Sequence, residues 1–193
     1  MGALIILVLT LGISLLGFAS RRVIELAVLR PYLVARRRGY AGLLTSGFVH
    51  AGFGHLAFNL ITFYSFAFPL ERMLGTIAFV VLYFSGLLLS NVGTCVKHRN
   101  DPNYASLGAS GAILAVLFAS ILYFPTQRLF ILPIPIPIPA PLFALAYLVF
   151  SYYSSRRATG RVNHDAHIGG ALTGVAFVAL TDPHQIAVFL QSL

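Results

Sequence analysis

Of the chain's 193 residues, 58% are hydrophobic and only 9% charged, and the mean hydropathy is +0.86. A soluble domain carries about 25% charged residues, so these values argue against a water-soluble fold; the length accommodates about six spans of roughly 20 residues with short loops and no extra domain. The formal charge of +8 is clustered between apolar runs, which points to anionic lipid headgroups and away from nucleic acid. Cys95 is the only cysteine, so neither an internal disulfide nor a cysteine metal cage can form.

Residues 2–20 are uncharged and end at Arg21-Arg22. No basic segment precedes them, as one would in a cleaved signal peptide, so they read as a retained first span, with the signal peptide as the alternative. Residues 21–52 form a long connection in which an apolar stretch lies between Arg22 and Arg30 and is followed by Arg36-Arg37-Arg38, a pattern expected of interfacial helix. A second span is expected at 54–70. Glu71-Arg72 closes it, and a tight return leads into a third span at 73–94. The polar segment 97–103 separates this from a fourth span at 105–124, which stops at Pro125. Residues 132–141 carry proline at alternate positions, which removes amide donors and fixes extended backbone, so an interhelical loop is expected that is neither helix nor central strand. Shorter spans at 142–153 and 165–180 follow, separated by Arg156, Arg157 and Arg161. The expected fold is an all-α polytopic membrane protein forming one bundle of six transmembrane helices.

Polar groups inside a bilayer are costly unless paired, so those within the spans are candidates for function. His55 and Asn59 are four residues apart and share one face of the second span, where both could donate to a common acceptor. His50 lies at or just ahead of that helix and reads as a loop-holding hydrogen-bond partner. Ser110 sits in Gly108-Ala109-Ser110-Gly111-Ala112, a run of small residues that lets a helix or a substrate backbone come close to its hydroxyl. The fifth position is alanine, so this is not the nucleophile elbow of soluble hydrolases. His167 precedes Gly170 and Gly174, a small-xxx-small face suited to close helix contact. If that face meets the start of the fourth span, Ser110 and His167 come within hydrogen-bond reach, as an activated serine requires. Asn163 or Asp165 could cap the last span.

His50, His55 and Asn59 in one span, then Gly108-Ala109-Ser110-Gly111, then Ala166-His167 with Gly170 and Gly174, in this order and spacing, closely resemble the rhomboid intramembrane serine proteases over residues 1 to about 181. The resemblance implies a rhomboid-like bundle in which Ser110 is the nucleophile and His167 the base, with no carboxylate and no cofactor. It also implies an oxyanion hole formed by His55, Asn59 and the Ser110 amide at the bottom of a water-filled cavity. The connection 21–52 would lie partly in the membrane beside this site, Glu71-Arg72 would be the structural end of the second span, and the fifth span with its following loop would gate entry. The implied partners are transmembrane protein substrates and membrane lipid, and the implied location is the membrane of a bacterial cell.

Leu114 stands where family members often place an aromatic that stacks on the catalytic histidine, so such stacking is expected to be absent. Asp165 is two residues from His167 on a helix and should point elsewhere, which assigns it to capping. Two rival classes remain: a catalytically inactive relative that binds membrane clients, and a small transporter, which the scarcity of acidic residues disfavours. Connections 1, 3 and 5 hold all the basic residues except Arg72 and Arg128, which the positive-inside rule places in the cytoplasm. The resemblance implies the opposite orientation.

Overall fold

The protein is described by a computed structural model covering residues 1–131, 134–157 and 163–192. Arg161 and the loop after the fifth span lie outside the described residues. The first helix, α1 (Gly2–Ala19), leads into short helices α2 (Arg21–Ala27), α3 (Pro31–Val34) and α4 (Gly42–Thr45) and a 3-10 turn, Ser46–Phe48. These helical pieces occupy the connection where interfacial helix was expected. The long helices α5 (Phe53–Leu74) and α6 (Thr76–Lys97) are joined at Gly75, whose φ of +79° is a conformation that a residue without Cβ adopts at little cost. Then come α7 (Ser110–Tyr123), the strands β1 (Arg128–Ile131) and β2 (Ile134–Pro139), α8 (Ala140–Arg157), α9 (His164–Thr181) and α10 (Pro183–Gln191).

Six helices, α1 and α5 to α9, make the bundle. Of these α1, α5 and α6 are each long and apolar enough to cross a bilayer, and α9 with α10 passes that test only as a pair bent by 111°. Apolar side chains such as Leu4, Val8, Leu89 and Val92 face outward, while Ser14, Asn59, Ser90, Asn91 and Thr94 are buried. The core is mainly apolar as in a soluble protein, but the apolar exterior, with polar groups drawn inside, is what a hydrocarbon solvent demands.

Several span boundaries differ from expectation: the second span runs past Glu71-Arg72 to Leu74 and the third to Lys97, and three further differences have local causes. The fourth helix begins at Ser110 and not near residue 105, because the chain ahead of it is engaged elsewhere. Leu29 and Ser106 exchange backbone hydrogen bonds at 2.9 Å, and Gly108 turns with φ +111°. The resulting 14-residue helix is only about 21 Å long at 1.5 Å per residue. The fifth helix runs on from 153 to Arg157, since Ser and Arg residues end the apolar stretch without breaking a helix. The third begins at Thr76, after the Gly75 turn.

Of the proline-rich segment, Ile134–Pro139 is extended, interhelical and also paired, whereas Ala140 and Pro141, expected in the loop, open α8, where the first turn tolerates proline. Its register sets Pro139 opposite Arg128 and Pro137 opposite Phe130, while the Ala140 amide donates to Gln127. Bonded positions alternate along an antiparallel pair, so prolines at every second position can turn their missing donors away from the partner strand. A two-stranded ribbon consists of edges only, which is where proline is tolerated.

Small residues set the depth of packing around α7, all of whose residues from Gly111 to Tyr123 are buried. A Cβ on Gly170 would fall on the Gly111 carbonyl, one on Gly174 on the Ala115 carbonyl, and one on Gly86 would lie 2.5 Å from the Ala115 methyl. These are the close approaches that small-xxx-small faces permit. At the far end of the helix, Gln185 donates to the Leu122 carbonyl at 3.0 Å and Tyr123 to Asp182 at 3.1 Å. In this way α10 satisfies a backbone group left without an intrahelical partner by so short a helix.

Glu71 is buried and accepts from the Gly2 and Ala3 amides at 2.7 and 3.1 Å, from Thr76 at 2.8 Å and from the Met1 ammonium at 2.6 Å. The carboxylate thus occupies the positive end of the α1 dipole. Its neighbour Arg72 is exposed and makes no side-chain hydrogen bond or ion pair among the described residues, so the structural role expected of the pair falls on Glu71.

Candidate active site

Connections 1, 3 and 5 meet at one end of the bundle. Arg36 donates to the Arg99 carbonyl at 3.1 Å, and the Asn163 amide reaches Ser106 at 3.0 Å and Thr94 at 2.9 Å. Its Oδ1 accepts from the Ala166 amide at 3.1 Å. Asn163 is therefore the cap of α9. Asp165, which was assigned to capping, instead pairs with Lys97 at 2.7 Å, because its position on the first turn faces the end of α6. His98 stacks on Tyr104 at 3.5 Å; burial and then the neighbouring Lys97 charge hold its imidazole below the ordinary histidine range.

Ser110 opens α7 at this end, and His167 lies one turn into α9. The Gly170 and Gly174 contacts hold the two helices together, and His167 Nε2 lies 2.8 Å from Ser110 Oγ. For Nε2 to accept the serine proton, Nδ1 must carry the ring proton. Nδ1 is 2.8 Å from the Tyr147 hydroxyl on α8, so that oxygen accepts it. The two rings also stack, with centroids 6.1 Å apart and planes at 30°. Leu114 supplies no ring, as expected, and the stacking comes from Tyr147 instead. An aromatic from α8 occupies the place that Leu114 cannot fill, and nothing in the spacing of residues 147 and 167 indicated it.

On the other side of Ser110 stands α5. The His55 ring covers Gly108, where a Cβ would lie 2.7 Å from Cε1, and it meets His50 edge-on at 4.9 Å. His50 is fully buried. It contacts Ser14 Oγ through Nδ1 at 2.9 Å and accepts from the Ala109 amide through Nε2 at 3.5 Å, while Ser14 donates onward to the Phe48 carbonyl. The residue thus ties α1 to the turn that presents Ser110. Asn59 is buried one turn beyond His55 and donates to the His55 carbonyl at 2.8 Å, which leaves its second amide hydrogen free to serve another acceptor. Gly111 closes the floor, since a Cβ there would strike Ser90 Oγ.

Ser110 and His167 are each half-buried. Two shallow, open concavities, of about 390 and 330 Å³, are lined by Pro69 and Tyr123–Gln127 and by Leu4, Glu71 and Thr76 respectively. Both lie at the end remote from Ser110, so neither is the cavity implied over the dyad; there α8 is packed across His167. The first turn of α7 leaves its amides without intrahelical acceptors and directs the positive end of the helix dipole at the serine.

A rhomboid-domain model matches residues 37–183. The chain is 43% identical over 74 residues to "Putative rhomboid protease YdcA" of Bacillus subtilis (strain 168), covering 38% of this chain and 36% of that one. It is 33% identical over 146 residues to human "Presenilin-associated rhomboid-like protein, mitochondrial", covering 70% of this chain and 36% of the relative. With "Rhomboid protein 1, mitochondrial" of Saccharomyces cerevisiae it shares 29% over 139 residues, covering 70% and 40%. The matches thus take in well under half of each relative's length. The chain is an integral membrane protein and belongs to the rhomboid family.

Proposed function

We propose that the protein is an intramembrane serine endopeptidase in which Ser110 and His167 form the catalytic dyad. The observation that carries this reading is the 2.8 Å contact between Ser110 Oγ and His167 Nε2 at the free N-terminus of a fully enclosed helix. In the reaction, Ser110 Oγ attacks the scissile carbonyl as Nε2 takes its proton, and His167 then returns that proton to the departing amine. The oxyanion is held by the Ser110 amide, by the free Asn59 amide hydrogen and by a ring N–H of His55, all donors fixed before charge develops. Water then repeats the sequence on the acyl-enzyme.

Substrates are membrane proteins whose transmembrane segments carry small or helix-breaking residues, because a stable helix hides its peptide bonds in internal hydrogen bonds. They reach Ser110 from the side of α8. Anionic headgroups pair with Arg21, Arg22, Arg30, Arg36 and Arg99 at the Ser110 end. The 43% identity with the Bacillus chain supports a bacterial cell membrane as the setting.

The test is cleavage of a transmembrane substrate by purified protein in lipid, with labelling by a serine-directed phosphonate. Ser110→Ala and His167→Ala should each abolish cleavage in a folded protein, and the double variant should be scarcely worse than either, since a dyad acts as a unit. Near wild-type turnover by Ser110→Ala would overturn the reading and leave a client-binding protein.

A further inference from the structure

His167 has no carboxylate to orient it. Asp165, the acid nearest in sequence, is turned to Lys97, and the Nδ1 partner among the described residues is the Tyr147 hydroxyl at 2.8 Å. A neutral imidazole free at Nδ1 can shift its proton to Nε2, and in that tautomer it cannot accept a proton from Ser110. The Tyr147 hydroxyl can accept from Nδ1–H or donate to a bare Nδ1, and when it accepts it holds the tautomer that serves Ser110. It accepts the same hydrogen once the ring has taken up the serine proton, so the bond persists through the proton transfer.

Tyr147 is held for this task by aromatic neighbours. Phe143 stacks on it at 5.6 Å with planes at 27°, and Phe118 of α7 lies at 6.4 Å. The helix that bears it packs on α7 through Phe143, Ala144, Tyr147 and Leu148 but is sparsely hydrogen-bonded to the bundle. Among the described residues, side-chain hydrogen bonds join α8 to the rest of the bundle at two points, Tyr147 to His167 and Lys97 to the Ser155 carbonyl at 2.8 Å. Ser151, one turn beyond Tyr147 on the same helix, is fully buried. Displacing α8 removes the Nδ1 acceptor and the stacking ring together.

We propose that Tyr147 is the positioning residue of His167, and that the base is competent only while α8 is docked against α9. The inference rests on the protease reading above and adds a condition to it. A segment entering beside α8 lifts Tyr147 from His167, and re-docking of α8 restores the tautomer that serves Ser110. Closure and chemistry are thereby coupled through a single hydroxyl.

The decisive variant is Tyr147→Phe, which retains the ring and its packing and removes only the oxygen. Two measurements on the full chain in lipid nanodiscs read the result. In ¹⁵N-histidine NMR, with the His167 signals identified by their loss in His167→Gln, the wild type should show the Nδ1-protonated tautomer and Tyr147→Phe a mixture containing the Nε2-protonated one. With a transmembrane substrate, kcat should fall about 10- to 100-fold, the scale seen when the partner orienting an imidazole is removed, and KM should stay within about twofold. A purely packing role predicts that Phe preserves both tautomer and kcat, and that result overturns the inference. The protease reading fails separately, on activity retained by Ser110→Ala; in that event the NMR measurement still decides whether Tyr147 fixes His167.

Discussion

Helices α7 and α8 approach the same histidine under opposite constraints. Every residue of α7 beyond Ser110 is buried, and Gly86, Gly170 and Gly174 bring neighbouring helices against it so closely that an added methyl has no space. By contrast, α8 turns Leu142, Leu145, Val149 and Phe150 outward, packs on α7 through Phe143, Tyr147 and Leu148 and, among the described residues, is joined to the bundle by two side-chain hydrogen bonds. Ser110 and His167 thus lie on the closely packed pair α7 and α9, and Tyr147, which meets His167, lies on the more outward-facing α8. On the protease reading proposed above, fixed geometry serves attack on the carbonyl, while a helix joined by few hydrogen bonds opens for a substrate entering from lipid.

Gly170→Val should produce the largest effect. Its side chain would meet the Gly111 backbone, which cannot rotate away as a flexible side chain could, so the loss should reach or exceed the upper end of the ~1–3 kcal/mol typical of overpacking. Leu145→Ala on the outward face of α8 should cost under about 0.5 kcal/mol. Unfolding midpoints in detergent compare the two. Similar losses would remove the distinction between the helices.

Asn59→Ala sharpens the comparison on the α5 side of Ser110. If the closely packed part supplies the oxyanion donors, turnover should fall about 10²- to 10³-fold with stability changed by less than about 1 kcal/mol. Turnover per folded molecule and the unfolding midpoint, measured on the same sample, separate this from a purely structural role. Unchanged turnover with lowered stability would defeat the oxyanion assignment.

Lys97→Met should have the smallest energetic effect. Its ion pair with Asp165 is partly exposed, at 40% and 24% of the two side chains, so the cost should stay below about 1 kcal/mol. Its consequence should be local: amide exchange should quicken in the last turn of α8, near Ser155, and remain unchanged in α7. Equal acceleration in both helices would show that they move as one body.

Much of this architecture could be read from local sequence. Six apolar runs, the sidedness of connections 1, 3 and 5, and the small residues around Ser110 and His167 are all visible there, because burial in lipid and close helix packing each impose residue types at fixed spacing. The shared face of His55 and Asn59 follows from a four-residue interval. Alternating prolines likewise announce an extended segment, although its pairing with β1 required the partner strand.

Contacts between distant segments were decided only by tertiary structure. Tyr147, Tyr152 and Tyr153 look alike in an apolar run with arginines beyond it, and only the docking of α8 on α9 selects Tyr147 as the partner of His167. Asn163 and Asp165 are both acceptable caps by type; the end of α6, which brings Thr94 to one and Lys97 to the other, settles which of them serves. Glu71 closes the first turn of a helix that begins about seventy residues earlier in the chain. Hydropathy records how deep a residue lies in the membrane, and helical periodicity records which face it occupies. Neither records which neighbour that face meets, because the neighbour is chosen by how all the helices pack together.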